Sequence, residues 1–149
     1  MKFEKFLKSV GTHGQILTRD NGDRWLICGG VGMKIPLGVK NLLGSGEVSE
    51  KVKTLVEGLI YADTDDKVTL ARATIKKDGK ANDIVRIFED GLDIAVGIHN
   101  ADFGLLEKSD INLAEVEVED DDTFEGAKFL LILDNDYEVI GFIQGVKEL

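Results

Sequence analysis

Three times in this chain an acidic tip is followed by an apolar run and then by glycine: DNGDRWLICGG at 20–30, EDGLDIAVGIHN at 89–100 and DNDYEVIGFIQG at 134–145. Asn-Gly and Asp-Gly between apolar stretches are hairpin signals, because glycine supplies the positive φ that a tight turn needs. The tips stay in water, the apolar runs face a core, and the glycines end or bend the strands. The spacing between the three is irregular, so they do not form a tandem repeat. A chain built this way must be largely antiparallel β.

The remaining segments fill in an α+β reading. Phe3, Phe6, Leu7 and Val10 fall at i, i+3, i+4 and i+7, the pattern of a short amphipathic helix, and Gly11 closes it. QILTR, the Asn21-Gly22 turn and DRWLIC predict a hairpin with a two-residue loop. Residues 29 to 46, rich in glycine and holding the only proline, Pro36, read as mostly loop. A second helix is expected over 47–60, where Val48, Val52, Leu55, Val56 and Leu59 share a face. From residue 67 the texture is β: KVTLARATI, a KKDGKAND turn segment, IVRIF paired with LDIAVGI, then INLAEVEVE, and KFLLILD paired with YEVIGFI through Asn135-Asp136. The expected architecture is one globular domain, 1–149, with a mainly antiparallel sheet of about seven or eight strands and two amphipathic helices packed on one face.

Charge and cysteine content restrict the function classes. The net charge is −10, yet residues 1–53 carry nine Lys or Arg against five Asp or Glu, a net of +4. Residues 54–149 carry nine against twenty-three, a net of −14. Such a surface repels duplex DNA, whose non-specific affinity depends on Lys and Arg displacing counterions. It attracts basic surfaces. No run of some 18 apolar residues predicts a membrane span, and MKFEKFLKSV lacks the apolar core of a signal peptide. A cytoplasmic location is therefore expected. Cys28 is the only cysteine and lies in an apolar strand, so it is read as an inert thiol.

The chemical motifs are mostly negative. GGVGMK at 29–34 does not fit a phosphate loop: no hydroxyl follows Lys34, and Pro36 precedes any helix. Gly44-Ser45-Gly46 has neither the third glycine nor the preceding strand of a dinucleotide site. Those glycines are read as the end of a strand. His99 with Asp102 three residues on could form a general base, but no serine lies in an elbow-type motif. Asp63-Thr64-Asp65-Asp66 and Asp134-Asn135-Asp136-Tyr137-Glu138 miss the calcium-loop pattern. No cofactor, metal site or catalytic residue is assigned.

The stretch that stands out is AEVEVEDDD, 114–122. As a strand it turns Val116 and Val118 to the core and projects Glu115, Glu117 and Glu119 from the other face, about 6.6 Å apart. Three like charges in a row are mildly destabilising. One reading is an edge strand charged against intermolecular pairing. The other is a docking face in which Glu115, Glu117, Glu119, Asp120, Asp121 and Asp122 meet a basic groove. The function expected on the second reading is a non-catalytic acidic binding protein that engages a basic, nucleic-acid-binding surface of a partner protein. Phage and mobile-element accessory proteins and inhibitors are of this kind.

Hairpins with Asn-Gly or Asp-Gly tips and one or two packed helices resemble single domains of processivity clamps, without a motif matched residue by residue. The alternative function is accordingly a structural or assembly subunit, such as a virion component or clamp-like replication accessory protein. It would self-associate as a homo-oligomer by joining the +4 part of one copy to the −14 part of another. A carboxylate- or His99-dependent enzyme is the third reading.

Overall fold

A computed structural model describes residues 1–39, 42, 48–76, 84–91, 93–118 and 126–147. The described residues form nine strands and three helices, more than the seven or eight strands and two helices expected. In chain order they are α1 (Phe3–Val10), β1 (Gln15–Thr18), β2 (Arg24–Cys28), β3 (Val31–Lys34), α2 (Glu50–Ile60), β4 (Thr69–Lys76), β5 (Ile84–Asp90), β6 (Asp93–His99), α3 (Asn100–Phe103), β7 (Leu113–Glu117), β8 (Lys128–Leu133) and β9 (Val139–Gln144). Every paired strand is antiparallel. One sheet has the order β1-β2-β3-β9-β8-β7 and the other the order β4-β5-β6.

The two longer helices lie on opposite faces of the six-stranded sheet, not on one. Strand β8 shows why. Its residues 129–133, FLLIL, are all buried and alternate between two clusters. Leu130 and Ile132 pack with Phe3, Phe6 and Val10 of α1 and with Val96 and Ile98 of β6. Phe129, Leu131 and Leu133 pack with Val56 and Leu59 of α2. A strand covered on both faces needs an unbroken apolar run, which is what β8 has. The three-stranded sheet and α1 therefore cover one face, and α2 covers the other.

Local chemistry sets the element ends. The Gly11 N–H donates to the Leu7 carbonyl with φ 56, a left-handed stop that glycine adopts freely. Ser49 caps α2 by accepting from the Val52 N–H, so the helix begins at Glu50 rather than 47.

The glycine-rich stretch is only partly loop. Cys28 pairs with Val31, so Gly29-Gly30 is a two-residue turn with positive φ at Gly29, and VGMK continues as β3. Residues 40, 41 and 43–47, with Gly44-Ser45-Gly46 among them, lie outside the described residues, as does the turn segment 77–83. Gly32 sits inside β3, opposite Phe142 of β9. The Phe142 ring lies across it, stacked on Trp25 at 6.0 Å and edge-on to Phe129 at 5.9 Å. Any side chain at Gly32 would occupy that space.

The β1–β2 loop holds three residues, not two. The Arg19 N–H donates to the Asp23 carbonyl and the Gly22 N–H to the Arg19 carbonyl, with φ 91 at Gly22. The β8–β9 tip repeats this arrangement: the Asp134 N–H donates to the Glu138 carbonyl and the Tyr137 N–H to the Asp134 carbonyl. Here the left-handed position belongs to Tyr137, at φ 61. Among the described residues it is the one non-glycine with positive φ. A left-handed L-residue costs about 1–2 kcal/mol.

Candidate functional site: an acidic junction between the sheets

Strand β7 is last in the order of the six-stranded sheet. Its outer side is partly covered: the Glu115 N–H donates to the Asp66 carbonyl and the Val68 N–H to the Leu113 carbonyl. Residues 66–68 then lead into β4 of the other sheet. A second tie lies at β6, where the Val146 N–H donates to the Gly97 carbonyl and the Lys128 Nζ to the Ala95 carbonyl, at 3.2 Å. The two sheets thus meet along β7, β8 and β6.

Carboxylates from three chain segments gather at this junction. Val116 and Val118 pack on the α2 side, which leaves Glu115 and Glu117 on the opposite face. Glu115 is 17% exposed, and its Oε1 stands 4.0 Å from the Lys128 Nζ. Burial pushes its carboxyl above the usual carboxylate range; Lys128 pulls it down, and Asp66, Glu117 and Asp90 push it up. Asp66, Asp90 and Glu117 are exposed. Asp90 comes from the β5–β6 tip, where it pairs with Asp93. Glu119, Asp120, Asp121 and Asp122 lie outside the described residues. Of the six sequence candidates, the structure therefore places Glu115 and Glu117, and it adds Asp66 and Asp90. Local spacing could not have found the last two, because long-range strand pairing brings them in.

The sign of the Glu115 shift gives a test. A carboxyl raised in the folded state binds more protons than the unfolded chain between the two pKa values, so stability falls as pH rises through that window. Glu115→Gln is expected to raise the melting temperature at neutral pH and to have little effect below the ordinary Glu range near pH ~4. Calorimetry at the two pH values measures this. A larger gain at acid pH would contradict it.

The other sequence candidates are separate. His99 is exposed at the end of β6. Burial pushes the Asp102 carboxyl up, and the nearby His99 opposes that. Beside them the Arg86 guanidinium lies 4.5 Å from the Phe103 ring centre and donates from Nε to Asn100 Oδ1. Cys28 is a free, half-buried thiol that packs against the α1-side core. Among the described residues no group of three or more His, Cys, Asp or Glu is placed to hold a metal ion, and no helix is long and apolar enough to cross a membrane.

A polar cleft of about 370 Å³ opens elsewhere, between the β1–β2 tip, the β8–β9 tip and the end of α2. A larger, mainly apolar cavity of about 520 Å³ lies between the 103–113 segment and β4–β5, with Leu70 and Ile111 exposed beside it. Comparison of the chain with known proteins gave no matching family model, no similar curated protein and no similar solved structure.

Proposed function

We propose that the protein is a non-catalytic binding protein that seats a basic surface of a partner protein on the acidic junction. One observation carries the reading. Asp66 and Asp90, from distant parts of the chain, join Glu117 in raising the energy of ionised Glu115 against the pull of Lys128. Such repulsion is a cost to the isolated fold that an incoming cation relieves. A partner whose basic surface holds nucleic acid would have that surface covered, which makes an inhibitory role the natural consequence.

The test uses fluorescein-labelled oligolysine as a probe, followed by anisotropy across a salt series. Affinity is expected to fall as salt rises. The triple variant Asp66→Asn, Asp90→Asn, Glu117→Gln is expected to bind roughly tenfold more weakly, at about 0.5 kcal/mol per exposed charge. A control triple, Glu4→Gln, Glu50→Gln and Glu107→Gln, removes the same charge from α1, α2 and the loop before β7. An equal loss in the control would show that net charge alone acts and would reject the junction as the binding face.

A further inference from the structure

The polar cleft between the two hairpin tips has features that the acidic-junction reading leaves unused. Its floor includes Trp25, 1% exposed, whose Nε1–H is the one buried side-chain nitrogen or oxygen without a hydrogen-bond partner among the described residues. Its rim carries Tyr61, 76% exposed, and Tyr137, 59% exposed, on opposite elements. Each ring already has a cation over one face: Arg19 at 5.4 Å from Tyr61 and Lys67 at 5.0 Å from Tyr137.

The polar groups around it are fixed and balanced. Arg19 donates from Nε and Nη2 to the two Glu57 carboxylate oxygens at 2.9 and 3.2 Å, and from Nη2 to the Tyr61 hydroxyl at 2.9 Å. These contacts, those to Glu57 foremost, raise the Arg19 pKa. Asp23 lies 3.5 Å from the Arg19 guanidinium and 3.4 Å from Lys34. Of the charges that line the cleft, Arg19 and Lys34 thus offset Asp23 and Glu138. A charged ligand would find no compensating charge here, and burying it would carry an uncovered desolvation cost. A purely apolar ligand would strand the Tyr61 hydroxyl, the Thr64 hydroxyl and the Lys34 ammonium away from water.

Tyr137 adds an independent sign. The matching position of the β1–β2 tip is Gly22, and glycine would hold the same turn without strain. The tyrosine ring is mostly exposed, so core packing does not account for its presence. A left-handed residue kept where glycine would fit points to a role for its side chain.

We infer that this cleft binds a neutral saccharide. A sugar ring offers a flat C–H face to Tyr61 and Tyr137, and hydroxyls that both donate and accept hydrogen bonds. That matches a charge-balanced rim of mixed donors and acceptors. The volume sits at the lower end of the roughly 300–1,000 Å³ found for small-molecule sites.

Trp25 is the only tryptophan of the chain, so its emission reports directly on the cleft. The experiment titrates the whole protein with maltotriose, cellotriose, chitotriose and xylotriose, with citrate and lysine amide as charged controls. A saturable change in Trp25 emission is expected for at least one trisaccharide and for neither control. Tyr61→Ala and Tyr137→Gly should each weaken it about tenfold, the scale of losing one aromatic stacking contact. Tyr137→Gly should do so without lowering the melting temperature, since it relieves the left-handed strain. The inference is overturned if no trisaccharide saturates up to roughly 10 mM, if a charged control binds in their place, or if both variants bind undiminished. A Tyr137→Gly protein that loses binding only because it melts earlier also overturns it.

Discussion

Gly32→Ala is expected to destabilise the protein by about 3 kcal/mol, near the top of the range for overpacking a well-filled core. For a chain of this length that is a drop of roughly 6–12 °C in melting temperature. The cause is the Phe142 ring, which lies where the new Cβ would go and is held between Trp25 and Phe129. All three rings are at most 1% exposed, so the aromatic stack has nowhere to yield. Gly29→Ala is the informative comparison. Its Cβ would meet nothing within 4 Å, and only the positive φ, 59, opposes it. That change should cost about 1–2 kcal/mol. Adding Phe142→Leu to Gly32→Ala should recover part of the loss, a coupling that a double-mutant cycle by urea denaturation would measure. Equal costs at Gly29 and Gly32, or no coupling to Phe142, would show that the ring is not the cause.

Leu131→Ala and Leu130→Ala are expected to cost about 2–5 kcal/mol each, the usual range for emptying a buried leucine site. Both side chains are 0% exposed and adjacent in β8, yet they belong to different cores. Amide hydrogen exchange should therefore separate them. Leu131→Ala should speed exchange first in α2, whose Val56 and Leu59 share its cluster. Leu130→Ala should act first in α1 and β6, through Phe6, Val10, Val96 and Ile98. Identical exchange patterns in the two variants would contradict the two-faced sheet.

Elements that rest on local pattern were legible in the sequence. The 3.6-residue spacing of Phe3, Phe6, Leu7 and Val10 gave α1, ended by Gly11 as expected. The apolar runs gave β4 to β9, and the valines of 114–118 do turn inward opposite their glutamates. Three of the expectations that failed did so for distinct reasons. Asn21-Gly22 suits a two-residue turn, but Asp23 and Arg19 add one more bonded pair, and the left-handed site falls at Gly22 alone. VGMK has too few side chains to read as a strand, because Gly32 is empty to admit a ring from residue 142. Both helices are amphipathic, but amphipathicity tells that a helix is covered and not by which face of which sheet.

The candidate sites divide along the same line. Glu115 and Glu117 were visible as alternating charges in one strand. Their partners Asp66 and Asp90 come from residues 49 and 25 positions earlier than Glu115, and only pairing of β7 with 66–68 and of β5 with β6 unites them. The cleft was invisible: Arg19, Trp25, Tyr61 and Tyr137 share no spacing, and the closure of β9 against β3 brings the two tips to one side. Side-chain period, composition and turn chemistry made the class of every element except β3 and α3 readable from the residues alone, together with the excess of negative charge after residue 53 and the hairpin tips. Tertiary structure decided which face each helix covers, where Gly32 must stay bare and which charges and rings converge, because those depend on strand order and register, which neighbouring residues do not encode.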